Sequence, residues 1–295
     1  MKLITAILTK FDEDGKLVLD GEYIRFLNGL IEDGVDAFFI GGTNGEFHTM
    51  NLEERKKQLE FIHTEFKGKV EMIAHVGGNN FLETLKLGEF ALSLGVRKLA
   101  VVAPYYFKYD EKAIVDYFTA VANCLSDAEI ILYNIPSFTG NRIEPMTILK
   151  VKDKSHNIIG LKDSDSRPWI VGELKEKLGE EFQIYSGNDD MAVDYLLRGT
   201  DGQVSGTSNV FPKILRKLLD DFEDGKYEST FRLQRILHKI VVNVSNHIAF
   251  VGANKYVLKL LGYDLGFPRL PSRSPTDEEK KNLREFLEKV REWAI

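Results

Sequence analysis

The chain has 295 residues, of which 43% are hydrophobic, and it carries a formal net charge of −6. This length is enough for a large core, either in two ordinary domains or in one α/β barrel. The net negative charge argues against a nucleic-acid-binding protein. The sequence also has no basic run longer than Arg55-Lys56-Lys57.

The N-terminal segment and the cysteine content favour a cytoplasmic protein that does not span a membrane. MKLITAILTKF lacks the long apolar region and small-residue cleavage site of a signal peptide. No apolar run reaches the roughly 18 residues that suggest a membrane helix. The single cysteine, Cys124, excludes an intramolecular disulfide, and its helical context predicts a packed, inert thiol.

Short β-rich runs alternate with helical patterns along the first two thirds of the chain. The predicted strands, in chain order, lie in LITAILTKF, AFFIGG, EMIAHVGG, KLAVVAP, EIILYNIP, IIGLKDSD, FQIYSGND and GQVSGTSN. The longest helical pattern between them is NLEERKKQLEFIHTEF, in which Leu52, Leu59, Ile62 and Phe66 share one face. The apolar runs AVVAP and EIILYNIP are typical of parallel strands that are covered on both faces.

Eight strand–helix units without a long linker predict an α/β fold, a closed (β/α)8 TIM barrel, over residues 1–225. A doubly wound open sheet is the alternative. Residues 226–295 show helical patterns with breaks at Gly252, Gly262 and FPRLPSRSP. We expect this segment to be a C-terminal helical extension packed on the barrel.

Polar residues at the strand ends are the candidates for function, because the loops that follow the strands carry the chemistry of such barrels. Lys162 directly follows the apolar run NIIGL. Burial lowers the pKa of a lysine and can make its amine a nucleophile that forms a Schiff base with a carbonyl. An ion pair with Asp163 or Asp165 is the alternative interpretation.

Tyr133 ends the preceding predicted strand, EIILY, and a phenol at that position can transfer protons. A buried tyrosine with a satisfied hydroxyl is the simpler interpretation of this residue alone. Because Tyr133 and Lys162 end adjacent strands of the predicted barrel, both side chains can touch one small molecule.

The chain resembles the dihydrodipicolinate synthase/N-acetylneuraminate lyase family in a series of short motifs: GGTNGE, APYY, YNIPSFTG, GLKD and YSGND. The resemblance extends to the closing GYDLGFPRLP. It implies a pyruvate-dependent class I aldolase on a (β/α)8 barrel, without a metal or other cofactor. It also implies a homo-oligomer, either a dimer or a tetramer.

The resemblance assigns roles residue by residue. Lys162 matches the lysine that forms an imine with pyruvate or another 2-oxo acid, and Tyr133 matches the tyrosine that moves protons. Thr43 matches the hydroxyl that links this tyrosine to a second tyrosine, which is Tyr106 here and reaches in from a neighbouring subunit. The GTNG turn matches the site that binds the substrate carboxylate through N–H groups and hydroxyls at a helix N-terminus. The predicted substrate-binding residues are Gly42, Asn44, Gly45, Phe138, Gly187 and Val204.

Two positions depart from the family pattern. Asn44 replaces a hydroxyl residue of the turn, although its amide can still donate to a carboxylate. Phe138, in PSFTG, replaces the arginine with which the synthases bind the aldehyde carboxylate, and a phenyl ring makes no such contact. Lys108 or Arg142 could supply a cation from a nearby loop.

The segments APYYFKYDEKAIVDYF and GYDLGFPRLP resemble the 2-keto-3-deoxygluconate aldolase branch of the family. This resemblance implies cleavage or formation of a 2-keto-3-deoxy sugar acid, with Ser137, Thr139 and Asn188 as contacts for sugar hydroxyls. The alternatives are dihydrodipicolinate synthase, a dehydratase that uses the same imine, and a non-catalytic 2-oxo-acid-binding homologue. Metal catalysis is not expected, because the chain's six histidines show no paired ligand spacing: His48, His63, His75, His156, His238 and His247. GGTNGE is neither a Walker loop nor a dinucleotide fingerprint.

Overall fold

Parallel strands close into a barrel in the computed structural model, which describes residues 1–245 and 249–295. Each strand pairs with the next in chain order, and the last pairs with the first. The (β/α)8 barrel predicted from the sequence is confirmed, and the open-sheet alternative is wrong. The strands are β1 (Lys2–Ala6), β2 (Ala37–Ile40), β3 (Glu71–His75), β4 (Lys98–Val102), β5 (Glu129–Asn134), β6 (Ile158–Asp163), β7 (Gln183–Ser186) and β8 (Gly202–Ser205).

Helices surround the barrel and cover its outer face. Among the described residues, no helix combines the length and the hydropathy that a membrane crossing requires. The helices that follow the strands are α1 (Gly21–Glu32), α2 (Leu52–Phe66), α3 (Phe81–Ser93), α4 (Glu111–Cys124), α5 (Pro136–Thr139), α6 (Pro145–Lys154), α7 (Trp169–Leu178), α8 (Ala192–Leu196) and α9 (Pro212–Glu223).

Local sequence explains where α2 begins and which face it buries. Asn51 caps the helix in a capping box with Glu54, so that two otherwise free N–H groups are satisfied. Leu59, Ile62 and Phe66 are buried, as the apolar pattern predicts. They belong to the core layer between the helices and the sheet.

The last residue of α4 differs from the prediction made from the helical pattern. Val121 and Ala122 are buried on its inner face, whereas Cys124, its last residue, is exposed. The prediction of a packed thiol is therefore wrong, because Cys124 lies outside the buried stripe of the helix.

Alternation along the strands separates the barrel interior from this outer core. In β5, Ile130 and Leu132 pack outward against the helices, whereas Ile131 and Tyr133 pack inside the barrel. The register of β5 and β6 pairs Tyr133 with Lys162. Paired residues of parallel strands share a face, so both side chains enter the barrel interior.

The described part of the chain after residue 225 contains α10 (Tyr227–Ile240), a π-helix (Val241–Ser245), α11 (Phe250–Leu260) and α12 (Asp277–Val290). A capping box of Thr276 and Glu279 begins α12, as the sequence PTDEE predicts. α11 contacts the loop that follows β2, which gives this extension a part in the candidate site.

Candidate active site

Lys162 lies near the carboxyl end of β6 and is only 4% exposed. Its Nζ lies between two aromatic rings, 4.0 Å from the ring centroid of Phe39 and 4.0 Å from that of Tyr133. Burial lowers the pKa of the Lys162 amine from 10.5 to about 7, although the charge of Asp189 acts in the opposite direction. A large fraction of this amine is therefore unprotonated at neutral pH.

The two carboxylates next to Lys162 in sequence have other partners. Asp163 accepts a hydrogen bond from Asn134 Nδ2 at 2.6 Å, and Asp165 accepts one from Arg142 Nε at 2.6 Å. Within the described residues, no carboxylate forms a salt bridge with Lys162. The ion-pair interpretation of Lys162 is therefore wrong.

Tyr133 is buried beside Lys162, and its hydroxyl lies 3.1 Å from Thr43 Oγ1. Burial raises the pKa of Tyr133 to about 12, so the phenol stays protonated at neutral pH. The structure thus brings together three of the four predicted catalytic side chains: an amine, a phenol and a hydroxyl.

His75, at the end of β3, packs against this group and was not predicted as part of the site. Its Nδ1 lies 2.8 Å from the carbonyl oxygen of Gly41, so Nδ1–H donates and Nε2 keeps its lone pair. Burial first, and the positive charge of Arg55 second, hold the pKa of His75 well below its usual value. Its ring meets Tyr133 edge-on at 5.7 Å. A neutral His75 therefore fixes the start of the loop after β2.

The loop after β2 contains three successive N–H groups, those of residues 43–45, which no hydrogen bond among the described residues uses. The N–H of Glu46 bonds back to the carbonyl of Thr43 at 3.0 Å. A single 3₁₀ turn, Phe47–Thr49, follows, and α2 begins only at Leu52. The expected helix N-terminus at this turn is therefore wrong, but the row of free donors remains.

Asn44 reaches across to the loop after β8. A β-carbon at Gly206 would lie 2.6 Å from Asn44 Nδ2, so Gly206 leaves the space that this amide occupies. Gly42 packs on Phe39, where a β-carbon would lie 2.8 Å from the ring. These glycines allow the turn to lie directly on the barrel rim.

The other predicted binding residues, Gly187, Gly45 and Val204, differ in their distance from Lys162 and from the cavity. Gly187 is next to the lysine, since a β-carbon there would lie 3.2 Å from Lys162 Cε. Gly45 is buried against the carbonyl of Ile7. Val204 is 2% exposed inside the barrel and does not line the cavity described below.

A buried ion pair attaches the turn to the C-terminal extension. Glu46 adopts a left-handed backbone conformation, with φ of +57°. Its carboxylate accepts from Lys255 Nζ at 3.0 Å and from the backbone N–H of Arg269 at 2.8 Å. Neither carboxylate nor amine reaches solvent appreciably, so the contact fixes α11 against the turn.

A cavity of about 350 Å³ opens beside Thr43. Its walls come from the loops after β2, β4 and β5, from α11 and from the loop before α12. Phe138 lies at the cavity's rim and is 65% exposed. The C-terminal extension contributes Phe250, Val251 and Ser272 to the wall. The local sequence does not predict the position of these residues.

Tyr106, the fourth predicted catalytic residue, is not brought to the cavity within one chain. It is 84% exposed, and its backbone φ is +83°, a conformation that a tyrosine rarely adopts. Its ring packs edge-on against Phe107 at 5.0 Å. Its reach into a neighbouring subunit stays a prediction.

Comparison with known sequences identifies the family of the chain. The profile of the dihydrodipicolinate synthetase family matches residues 1–290. The chain belongs to this family. The 4-hydroxy-tetrahydrodipicolinate synthase of Thermoanaerobacter sp. (strain X514) is 32% identical over 292 residues, which cover 96% of this chain and 94% of that protein. The predicted family and the predicted lyase class are thereby confirmed.

Solved structures of family members share the whole fold. The E. coli K12 prophage protein YagE, a family member solved in complex with pyruvate, superposes with a TM-score of 0.91 at 27% identity, with 98% of each chain covered. A variant of the Sulfolobus solfataricus 2-keto-3-deoxygluconate aldolase, in complex with L-2-keto, 3-deoxy-galactonate, superposes with a TM-score of 0.90 at 26% identity, covering 99% of this chain and 97% of that one. Family membership alone therefore leaves the second substrate open.

The residues considered as replacements for the family arginine lie away from the cavity. Arg142 pairs with Asp165, and neither it nor Lys108 lines the cavity. Of the three predicted sugar contacts, only Thr139 lines it, and its hydroxyl lies within hydrogen-bond distance of two main-chain carbonyls. No cluster of three or more potential metal ligands occurs within the described residues, and His247 lies outside them.

Proposed function

We propose that this family member is a Schiff-base-forming class I aldolase that joins pyruvate to an aldehyde, or cleaves the product. The observation that carries the proposal is the environment of Lys162. A buried amine without an ion pair, with its pKa lowered to about 7, is a nucleophile near neutral pH. No metal or other cofactor is needed for this chemistry, because the imine itself withdraws electrons.

The first half of the proposed reaction is imine formation. The neutral amine of Lys162 attacks the keto carbon of pyruvate and gives a carbinolamine. Loss of water then gives a protonated imine, and the departing hydroxyl needs a proton. Tyr133 supports this step because its phenol is protonated, and Thr43, 3.1 Å away, can return the proton.

The second half makes the carbon–carbon bond. A proton leaves the methyl carbon of the imine, and the resulting enamine attacks the aldehyde carbonyl, whose oxygen takes up a proton. Hydrolysis of the new imine releases the product and regenerates Lys162. The free N–H groups of residues 43–45 suit the substrate carboxylate, which would hold the keto carbon towards the amine.

The cavity favours an aldehyde without a carboxylate. No lysine or arginine among the described residues lines it, and an aldehyde carboxylate would lose its water there without gaining a cation. A 2-keto-3-deoxy sugar acid, the substrate class predicted from the sequence, meets this condition in its aldehyde half. Synthesis from aspartate semialdehyde is the second candidate, because relatives such as the Thermoanaerobacter protein carry that name.

The proposal includes a homo-oligomer in which Tyr106 of one subunit completes the site of another. The support is the exposed ring and the strained backbone of Tyr106. A backbone conformation of this kind costs on the order of 1–3 kcal/mol and persists only where surrounding contacts offset the strain. Light scattering after gel filtration tests the assembly. A monomer with full activity would overturn this part of the proposal.

Trapping with pyruvate and borohydride tests the proposed function. We expect the wild-type protein to gain the mass of one carboxyethyl group and to lose activity in proportion. Lys162→Arg should gain nothing, because it keeps a long nitrogen-bearing side chain but has no amine that forms an imine. Lys177→Arg, an exposed lysine of α7, is the matched control and should react like wild type. An unmodified wild-type protein would refute the aldolase proposal.

A further inference from the structure

The cavity next to Thr43 is apolar to a degree that an aldolase for hydroxylated aldehydes does not require. Six of its lining residues are aliphatic or phenylalanine: Phe47, Val102, Ile135, Phe138, Phe250 and Val251. They come from four separate segments, so the apolar part of the wall is assembled from distant parts of the chain. Its volume of about 350 Å³ is within the range of small-molecule sites.

Two of the four hydroxyl groups in the wall are engaged with the protein itself. Thr43 contacts the Tyr133 hydroxyl, and Thr139 Oγ1 lies 2.8 Å from a main-chain carbonyl. For the hydroxyls of Ser272 and Tyr105, the described part of the chain supplies no side-chain hydrogen bond. A ligand with more than two hydroxyl groups would therefore leave some of them without a free hydroxyl partner, and each such group costs free energy when buried.

The wall also lacks formal charge. None of its described residues is aspartate, glutamate, lysine or arginine. His48 lies in the wall, where partial burial lowers its pKa and so disfavours its charged form. Arg55 is not part of the wall: its guanidinium lies 5.3 Å from the ring centroid of Phe47 and donates to the carbonyls of His75 and Gly77.

We propose that the second substrate is an aldehyde with an apolar body, aliphatic or aromatic, that carries at most two polar substituents. This inference rests on the proposed aldolase function, narrows its substrate class and sets aside the polyhydroxylated aldehyde of a sugar acid. The aldehyde carbonyl lies towards Tyr133 and Thr43, while the apolar body contacts the phenylalanine and valine side chains of the wall. Ser272 and Tyr105 supply free hydroxyls that can meet the polar substituents.

The test compares condensation of pyruvate with three aldehydes: isovaleraldehyde, glyceraldehyde and succinic semialdehyde. We expect kcat/KM for isovaleraldehyde to exceed each of the others by about 10-fold or more, the selectivity that an apolar pocket provides. Borohydride trapping with pyruvate alone is measured in parallel. If the adduct forms but glyceraldehyde or succinic semialdehyde is preferred, the inference is wrong and the aldolase proposal survives. If no adduct forms, the aldolase proposal itself fails.

Phe138→Ala tests whether the wall makes the selection. We expect it to lower kcat/KM for isovaleraldehyde by about 10-fold and to leave the pyruvate adduct unchanged, since Phe138 lies in the wall proposed for the aldehyde half. Phe231→Ala is the matched control, an exposed phenylalanine of α10 outside the cavity, and should match wild type. Equal losses for all three aldehydes in Phe138→Ala, or none, would overturn the inference.

Discussion

Lys255 in α11 and Glu46 in the loop after β2 form an ion pair at 3.0 Å, with side chains that are 1% and 0% exposed. Lys255 Nζ also donates to the carbonyl of Phe267 at 2.7 Å. The pair joins the C-terminal extension to the turn that carries Thr43 and Asn44. The extension is therefore part of the proposed substrate site, both through this contact and through the cavity wall.

Glu46→Gln should destabilise the protein by about 3–5 kcal/mol, because it leaves the Lys255 ammonium buried without a counter-charge. We also expect a higher KM for pyruvate, since the turn loses its contact with α11. Chemical denaturation and steady-state kinetics measure the two effects.

The double variant Glu46→Gln/Lys255→Met should recover part of the lost stability, because no unpaired charge remains. Glu173→Gln is the control, since it breaks an exposed pair with Lys177 that is worth less than about 1 kcal/mol. Equal effects of the buried and exposed substitutions would contradict this account of the pair.

The rate of imine formation should depend on pH through Lys162. A lysine with its pKa lowered to about 7 is mostly ammonium below that pH and mostly amine above it. The initial rate of trapping by cyanoborohydride should therefore rise through about pH 7 and then level off. A rate that keeps rising towards pH 10, as for an ordinary lysine, would show that burial does not activate this amine.

Tyr133→Phe should lower kcat by about 100-fold or more, because it removes the proposed proton donor while keeping the ring beside Lys162. Thr43→Val removes one hydrogen bond to that phenol, and we expect a loss of about five-fold. Thr43→Ser keeps the hydroxyl and should stay near wild type. Full activity of Tyr133→Phe would exclude its role in proton transfer.

Gly206→Ala tests the placement of Asn44. The new β-carbon would lie 2.6 Å from Asn44 Nδ2, so the amide has to move. We expect KM for pyruvate to rise about 10-fold, the effect of roughly one lost hydrogen bond, with little change in stability. Gly172→Ala in α7 meets no atom within 4 Å and is the control. If KM for pyruvate is unchanged in Gly206→Ala, Asn44 does not take part in binding the pyruvate carboxylate.

Phe138→Arg should change the preference among aldehydes. A guanidinium at the cavity's rim can bind a carboxylate with two hydrogen bonds. We expect kcat/KM for succinic semialdehyde to rise by about 10-fold, and that for isovaleraldehyde to fall. Assays of both aldehydes with the purified variant check this. If neither value changes, Phe138 does not contact the second substrate.

The barrel and the core of the site were predictable because they depend on local patterns. Strand alternation places Tyr133 and Lys162 inside the barrel, and their order in the chain makes β5 and β6 neighbours. The burial of Lys162 followed from the apolar run before it. The lack of a salt bridge between Lys162 and its neighbouring carboxylates could not be predicted, because Asp163 and Asp165 bind residues from other parts of the chain.

The parts that the sequence did not predict depend on contacts between distant segments. Glu46 and Lys255 are 209 residues apart, and no periodic pattern links them. No periodic pattern of the sequence indicates that Phe250 and Val251 lie in the cavity wall. His75 looked like any histidine at a strand end, and only the packed structure shows its Nδ1 held by the carbonyl of Gly41.

The most direct test of the account is to locate the trapped adduct in the chain. The wild-type protein is treated with pyruvate and borohydride, digested, and its peptides are sequenced by mass spectrometry. The account predicts a carboxyethyl group on Lys162 and on no other lysine, including the buried but ion-paired Lys175 and Lys255. An adduct on another lysine, or an unmodified Lys162, would contradict the central claim.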